Sequence, residues 1–189
     1  PEAEGGVRTL EIATFRKDLK YKDHRHPIGV EFAGPAEDAC RRDFTVNALF
    51  YDLKGGRILD LVQGIRDLND KVLRAIGDPL KRFEEDALRL LRAVRFTIRL
   101  DFTLEPATAR GIKARSRLIR RISEERIRDE LSLILQGPGT ARAMKLLNEL
   151  ELLNLVIPEA VPGLDQTLKT LEVLDQITPK RSLVLGWAA

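Results

Sequence analysis

The stretch Gly77 to Arg99, GDPLKRFEEDALRLLRAVRFTIR, decides how the rest of the chain is organised. Asp78-Pro79 reads as a helix entry, since Asp caps free amides and Pro is preset for a first helical turn. From Phe83 onward, Phe83, Ala87, Leu90, Leu91 and Val94 recur at helical spacing and predict one buried stripe along a single helix. Glu85, Arg89 and Arg92 fall within a narrow arc on the other side, with Asp86 at its edge. On most helices such an arc is a solvated face laced with ion pairs. Other stretches give these charges a second meaning.

A chain of 189 residues can hold one large domain or two to three small ones. With 43% apolar and only 5% aromatic residues, its core is expected to be built mainly from Leu, Ile, Val and Ala. Charged residues make up 32%, which points to a helix-rich surface. The net charge is only +3, so distribution matters more than the total. Arg110 to Arg128 is strongly basic, as a phosphate backbone requires of its partner, whereas Glu149 to Asp175 leans acidic. Cys40 is the only cysteine, which excludes an intrachain disulfide and a thiolate zinc cluster. No apolar run reaches membrane-spanning length and no signal-peptide pattern opens the chain. A cytoplasmic protein without a membrane partner is the expectation. The chain starts at Pro1 and stops within the apolar run Leu183 to Ala189, so both ends are expected to be cuts.

Val7 to Phe15 is β-rich and partly alternating, and it predicts a strand. Arg16 to Pro27 is polar and reads as a loop, and Ile28 to Phe32 as a second strand antiparallel to the first. His24 and His26 lack a third ligand nearby, so they read as surface histidines. Ala36 to Leu53 mixes strand and helix formers, and its local pattern leaves the type open. At its centre Arg41, Arg42, Asp43, Thr45 and Asn47 crowd ahead of an apolar run. They form either a capped helix entry or a polar cluster at the lip of a pocket. Lys54 to Arg57 is a turn, Ile58 to Leu61 a short strand, and the residues up to Gly77 a connector. Further helices are expected at Pro106 to Lys113, Glu124 to Leu135, Thr140 to Leu150 and Leu164 to Gln176. Ser123 is the expected cap of the second, with Glu124 and Glu125 in its first turn. The fold class is α+β: a small mixed piece with a few antiparallel strands, then an all-helical remainder.

Five stretches, in this order, resemble the motifs of the class II tRNA nucleotidyltransferases (CCA-adding enzymes) and the related bacterial poly(A) polymerases. They are EIATFRKDLKYKDHRHPIGVEF from Glu11, RRDFTVNALFYD from Arg41, DLVQGIRDLNDKVLR from Asp60, Glu85-Asp86 with Arg89, and ISEERIRDEL from Ile122. The resemblance implies a partial nucleotidyltransferase head of the polymerase β type over 1–76. A helical neck over 77–136 and the start of a helical body over 137–189 would follow. It implies addition of C, A or both to the 3′ end of tRNA or another RNA from CTP and ATP, with Mg²⁺ as the metal. The family's DxD carboxylates, which bind the metals, do not occur in this sequence, so these residues alone are expected to be inactive. Glu11 is a candidate metal carboxylate, with an outward strand residue as the alternative.

By the same resemblance Asp86 and Arg89 read the base edge of the incoming nucleotide, one helical turn apart. Glu85 and Arg92 hold them by ion pairing. Arg41, Asp43 and Asn47 meet ribose and phosphates, and Arg92 also belongs to the nucleotide-binding set. Gly64 is the hinge between head and neck, and Glu125 and Arg126 brace the neck. Arg110, Lys113, Arg115, Arg117, Arg120 and Arg121 meet the RNA backbone. A poly(A) polymerase is the near alternative, and a non-catalytic RNA-binding neck module the alternative from another class.

Overall fold

The computed structural model describes residues 13–19 and 28–177. Glu11, both histidines, the greater part of the first expected strand and loop, and the run from Leu183 lie outside the described residues. Strand β1, Arg16–Asp18, pairs antiparallel with β2, Val30–Phe32. Strand β1 lies within the expected loop, and residues 13–15, the described end of the expected first strand, are not in a strand, so that expectation is corrected. Arg16 belongs to a strand where the polar composition suggested loop, because the fold holds its backbone. Asp38 accepts its N–H at 3.3 Å and Arg41 Nε donates to its carbonyl at 3.2 Å. Across the pair, Lys17 meets Glu31 at 2.8 Å.

The ambiguous stretch resolves into three pieces. Helix α1, Pro35–Arg41, starts at Gly34, whose N–H is held by the Glu37 side chain at 3.1 Å. A 3-10 turn, Thr45–Asn47, leads to β3, Leu49–Asp52, which pairs antiparallel with β4, Arg57–Asp60. The expected connector contains a helix of its own, α2, Gly64–Asn69. The Asp60 carboxylate collects the N–H groups of Val62, Gly64 and Ile65 at 3.2, 2.8 and 2.9 Å. A Cβ on Gly64 would sit 2.4 Å from the Thr45 carbonyl oxygen, so this glycine permits a close backbone approach. Strand β5, Val72–Leu73, then pairs in parallel with β6, Thr103–Leu104.

The stretch from Gly77 to Arg99 is two helices. Helix α3, Pro79–Glu85, is capped as expected by Asp78, whose side chain accepts from the Leu80 N–H. Helix α4 spans Arg89–Arg99. Between them Asp86 is extended, at φ −145° and ψ 105°. Its side chain takes the Leu88 N–H at 3.1 Å and its carbonyl takes the Arg89 N–H at 3.1 Å. An Asp that bonds the amides ahead of it starts a new helix at the expense of the old one. The expectation of one continuous helix is corrected on this point.

The apolar stripe survives the break, because Phe83, Ala87, Leu90, Leu91 and Val94 are all fully buried. Helices α5, Pro106–Arg115, α6, Glu124–Leu135, α7, Thr140–Glu149, α8, Leu153–Val156, and α9, Leu164–Ile177, complete the helical part. Ile112, Ile119, Leu147, Leu152 and Leu153 fill the centre around α4, which packs on α6 and α7. Gly111 lets α5 lie on α3, since a Cβ there would come within 2.7 Å of Pro79 Cβ. No helix among the described residues is long and apolar enough to cross a membrane.

Candidate functional site

Arg41, Arg42, Asp43, Asn47, Asp86, Arg89, Arg92 and Phe96 line one cavity of about 570 Å³. All six residues of the expected nucleotide-binding set are among them. The end of α1 and the 3-10 turn form one wall, and the α3–α4 junction with the first turns of α4 forms the other. Arg42, which the sequence offers only as a member of the polar cluster, and Phe96, to which it gives no role, also belong to the lining. Phe96 stands four residues after Arg92 on α4, and the two guanidiniums of Arg92 and Arg95 lie 5.2 and 4.4 Å from its ring centroid. That spacing was readable; its partners were not.

Asp43 is buried and fully engaged. Its Oδ1 takes the Phe44 N–H at 2.9 Å and Asn47 Nδ2 at 3.0 Å. Its Oδ2 takes Arg92 Nε at 2.8 Å and Nη2 at 2.7 Å. A carboxylate has about four acceptor positions, and these four donors fill them. Burial alone would push its pKa up, but the charge of Arg92 and the bonds from Asn47, Arg92 and Phe44 outweigh burial and hold it below the ordinary carboxylate value. A group lowered in the folded state contributes stability above its unfolded pKa, about 3.9, and loses it as pH falls through the folded value. The urea midpoint is therefore expected to fall as pH drops below about 4. Asp43→Asn should lose its stability difference from wild type over the same acid window. An equal difference at neutral and acid pH would contradict this.

Arg89 is only 10% exposed at its side chain and donates three ways. Nη1 reaches Glu85 Oε2 at 2.8 Å and the Arg82 carbonyl at 3.0 Å, and Nη2 reaches the Arg41 carbonyl at 3.0 Å. Three of the five N–H groups of a guanidinium are thereby committed. Glu85 supports Arg89 as expected, and the same Oε2 also meets Arg82 Nη1 at 2.8 Å. Arg92 pairs with Asp43, so its expected role of holding Asp86 or Arg89 is corrected. Asp86 is held instead by Arg126 Nη2, at 3.3 and 3.1 Å from its two oxygens. Arg126 of α6 thus braces the cavity wall, and its partner Asp86 is the residue at which α3 gives way to α4. Glu125 is exposed, and Ser123 sits at the cap position of α6 without a side-chain capping bond.

A second network joins the two parts of the chain behind the cavity. Thr45 Oγ1 donates to Asp67 Oδ2 at 2.7 Å, Asp67 meets Arg74 Nε at 3.0 Å, and Arg74 Nη1 reaches Glu105 at 3.4 Å. Glu105 caps α5 through Thr108, whose Oγ1 in turn takes the Ala75 N–H at 3.0 Å. Gly64 at the expected hinge is packed into this region. Of the expected RNA contacts, Arg110, Lys113, Arg117, Arg120 and Arg121 are exposed, while Arg115 pairs with Glu84 at 2.7 Å. Among the described residues no group of three or more His, Cys, Asp or Glu could hold a metal ion.

Comparison with known proteins bears on this arrangement. Residues 3–74 match the Poly A polymerase head domain, and 101–164 match the probable RNA and SrmB-binding site of polymerase A. The CCA-adding enzyme of Lactobacillus helveticus is 43% identical over 173 residues, which is 91% of this chain and 42% of that protein. That of Lactococcus lactis subsp. cremoris is 46% identical over 142 residues, 75% of this chain and 35% of that protein. The crystal structure of the Bacillus stearothermophilus CCA-adding enzyme in complex with CTP matches with TM-score 0.66 and 40% identity, covering 74% of this chain and 33% of that one. The chain thus spans less than half the length of these relatives. Carrying both segments in this order along most of its length, the chain belongs to the family of the class II tRNA nucleotidyltransferases (CCA-adding enzymes) and bacterial poly(A) polymerases.

Proposed function

We propose that this chain is the base-selecting and RNA-gripping part of an RNA 3′-end nucleotidyltransferase that adds C and A to tRNA from CTP and ATP. The observation that carries this reading is the single cavity lined by Arg41, Asp43, Asn47, Asp86, Arg89 and Arg92. Solved relatives described as complexes with CTP and with ATP favour C and A over a poly(A) tail. In this reading 1–76 is the later part of the head, 77–136 the neck and 137–189 the start of the body, working in the cytoplasm.

The chemistry follows from what each group has left to offer. Asp86 gives its remaining acceptor capacity to the exocyclic amino group that cytosine and adenine carry and that guanine and uracil lack at that edge. Arg89 offers its two uncommitted N–H groups to cytosine O2 and N3, or to adenine N1. Asp43 can accept a ribose 2′-hydroxyl only by exchanging a partner. Arg92, 33% exposed at its side chain, is the one able to leave toward a phosphate oxygen. The family uses a divalent metal, and Mg²⁺ is the ion this reading assigns. The described residues offer it no ligand cluster, so no step here runs through it.

The test is calorimetric titration of the chain with CTP, ATP, dCTP and dATP. Binding of the ribonucleotides, weakened in the deoxy forms and by Asp43→Ala, is expected; no binding of CTP or ATP sinks the reading. RNA contact through the exposed arginines predicts tRNA binding that weakens steeply with salt, because phosphate contacts release counterions. Changing Arg117, Arg120 and Arg121 together to Glu should abolish that binding. Affinity that ignores salt, or survives the triple change, assigns the RNA surface elsewhere.

A further inference from the structure

We propose that Asp38 is the positioning residue that aims Arg41 and Arg42 at the phosphates of the bound nucleotide and ties them to the β1–β2 hairpin. The proposal rests on the nucleotide reading of the cavity. Asp38 is 1% exposed and does not line the cavity, so it acts only through its partners. From the middle of α1 it serves the two residues three and four positions on, with one oxygen for each. Arg41 Nε and Nη2 reach Oδ1 at 2.9 and 2.7 Å, and Arg42 Nε reaches Oδ2 at 3.0 Å. Two adjacent guanidiniums repel each other, and a shared anion between them offsets that repulsion while fixing both planes.

The far ends of the same groups show what is being fixed. Arg42 Nη1 donates to the Asn47 carbonyl at 2.9 Å, and its guanidinium lies 4.8 Å from the Phe50 ring centroid. Asn47 in turn holds Asp43, which holds Arg92. On the other side, Asp38 Oδ1 accepts the Arg16 N–H while Arg41 Nε donates to the Arg16 carbonyl. The first residue of β1 is therefore gripped through both its backbone groups, by the buried Asp38 and by Arg41, which lines the cavity. A phosphate that draws Arg41 inward must change the load on that grip. The hairpin then senses whether the cavity is filled. The anion is secure, since the bonds from Arg41, Arg16 and Arg42 outweigh the burial that would raise its pKa.

Asp38→Asn keeps size and one acceptor but removes the charge that two cations share. In the full chain it is expected to weaken CTP and inorganic triphosphate binding about tenfold while leaving cytidine affinity within about twofold. Asp38→Glu should recover part of the loss. A merely structural role would weaken all three ligands together, and that result overturns the proposal, as does unchanged triphosphate affinity. Hydrogen exchange of the intact wild-type chain supplies a measurement that no folding defect can confuse. The Arg16 amide is expected to change its exchange rate on addition of CTP, and an unchanged rate overturns the coupling. Wild type that binds no CTP at all overturns the nucleotide reading and this proposal with it.

Discussion

Asp86→Ala is expected to erase most of the preference for CTP and ATP over UTP and GTP, a change of about 10- to 100-fold in relative affinity. A buried or half-buried acceptor that meets the amino group of the right base, and meets nothing on the wrong one, discriminates by the cost of an unmade hydrogen bond, about 1–3 kcal/mol. The rival account is that Asp86 exists only for its bond to Arg126. Both side chains of that pair are about one-fifth exposed, at 21% and 22%. Such a pair is worth at most about 1 kcal/mol and is indifferent to which nucleotide is present. The two accounts therefore part on substrate choice and not on stability. Titration of the wild type and the variant with all four nucleotides, with thermal melting as a control, decides. If the variant keeps the wild-type ranking, Asp86 is a brace and the template reading of the cavity fails.

Much of this site could be read from the chain, and what could not has identifiable physical causes. The bounds of α6, the Asp78 cap and the buried stripe of α4 follow from local periodicity and capping, and all three stand in the structure. The Glu85–Arg89 bond follows from spacing alone. The break at Asp86 does not, because an Asp inside a helical pattern is equally compatible with a surface position and with a cap. Here tertiary partners decide: Arg126 comes from 40 residues along the chain. Arg92 pairs with Asp43 across 49 residues, which no helical wheel can foresee. Asp38 was legible in spacing, three and four residues before Arg41 and Arg42, yet only its burial gives the spacing weight. The parallel pairing of β5 with β6 is equally non-local.

Arg89→Ala should act mainly on stability, lowering the unfolding free energy by about 2–4 kcal/mol. The guanidinium satisfies two backbone carbonyls, of Arg82 and Arg41, that meet at the cavity wall. Removing it orphans both, and leaves Glu85 with Arg82 alone. Orphaned acceptors cost more than a lost surface pair, which would amount to about 0.3–0.5 kcal/mol. Lysine cannot repair the site, since one ammonium on a flexible stem does not reproduce a fixed fork reaching three acceptors. Arg89→Lys is accordingly expected to recover less than half of the loss. Urea unfolding of wild type and both variants measures this. A loss below about 0.5 kcal/mol for the alanine variant would mean that water replaces the guanidinium freely, and that the wall is not built on it. The consequence for base selection is direct. Asp86→Ala gives up the bonds to the Leu88 N–H and to Arg126 but orphans no backbone carbonyl of the wall, so with melting as the control its effect on nucleotide ranking reports recognition. Arg89 belongs to the wall and, in the proposed reading, to recognition as well, so the double replacement of Asp86 and Arg89 confounds the two, and the single Asp86 change is the sharper test of which base is read.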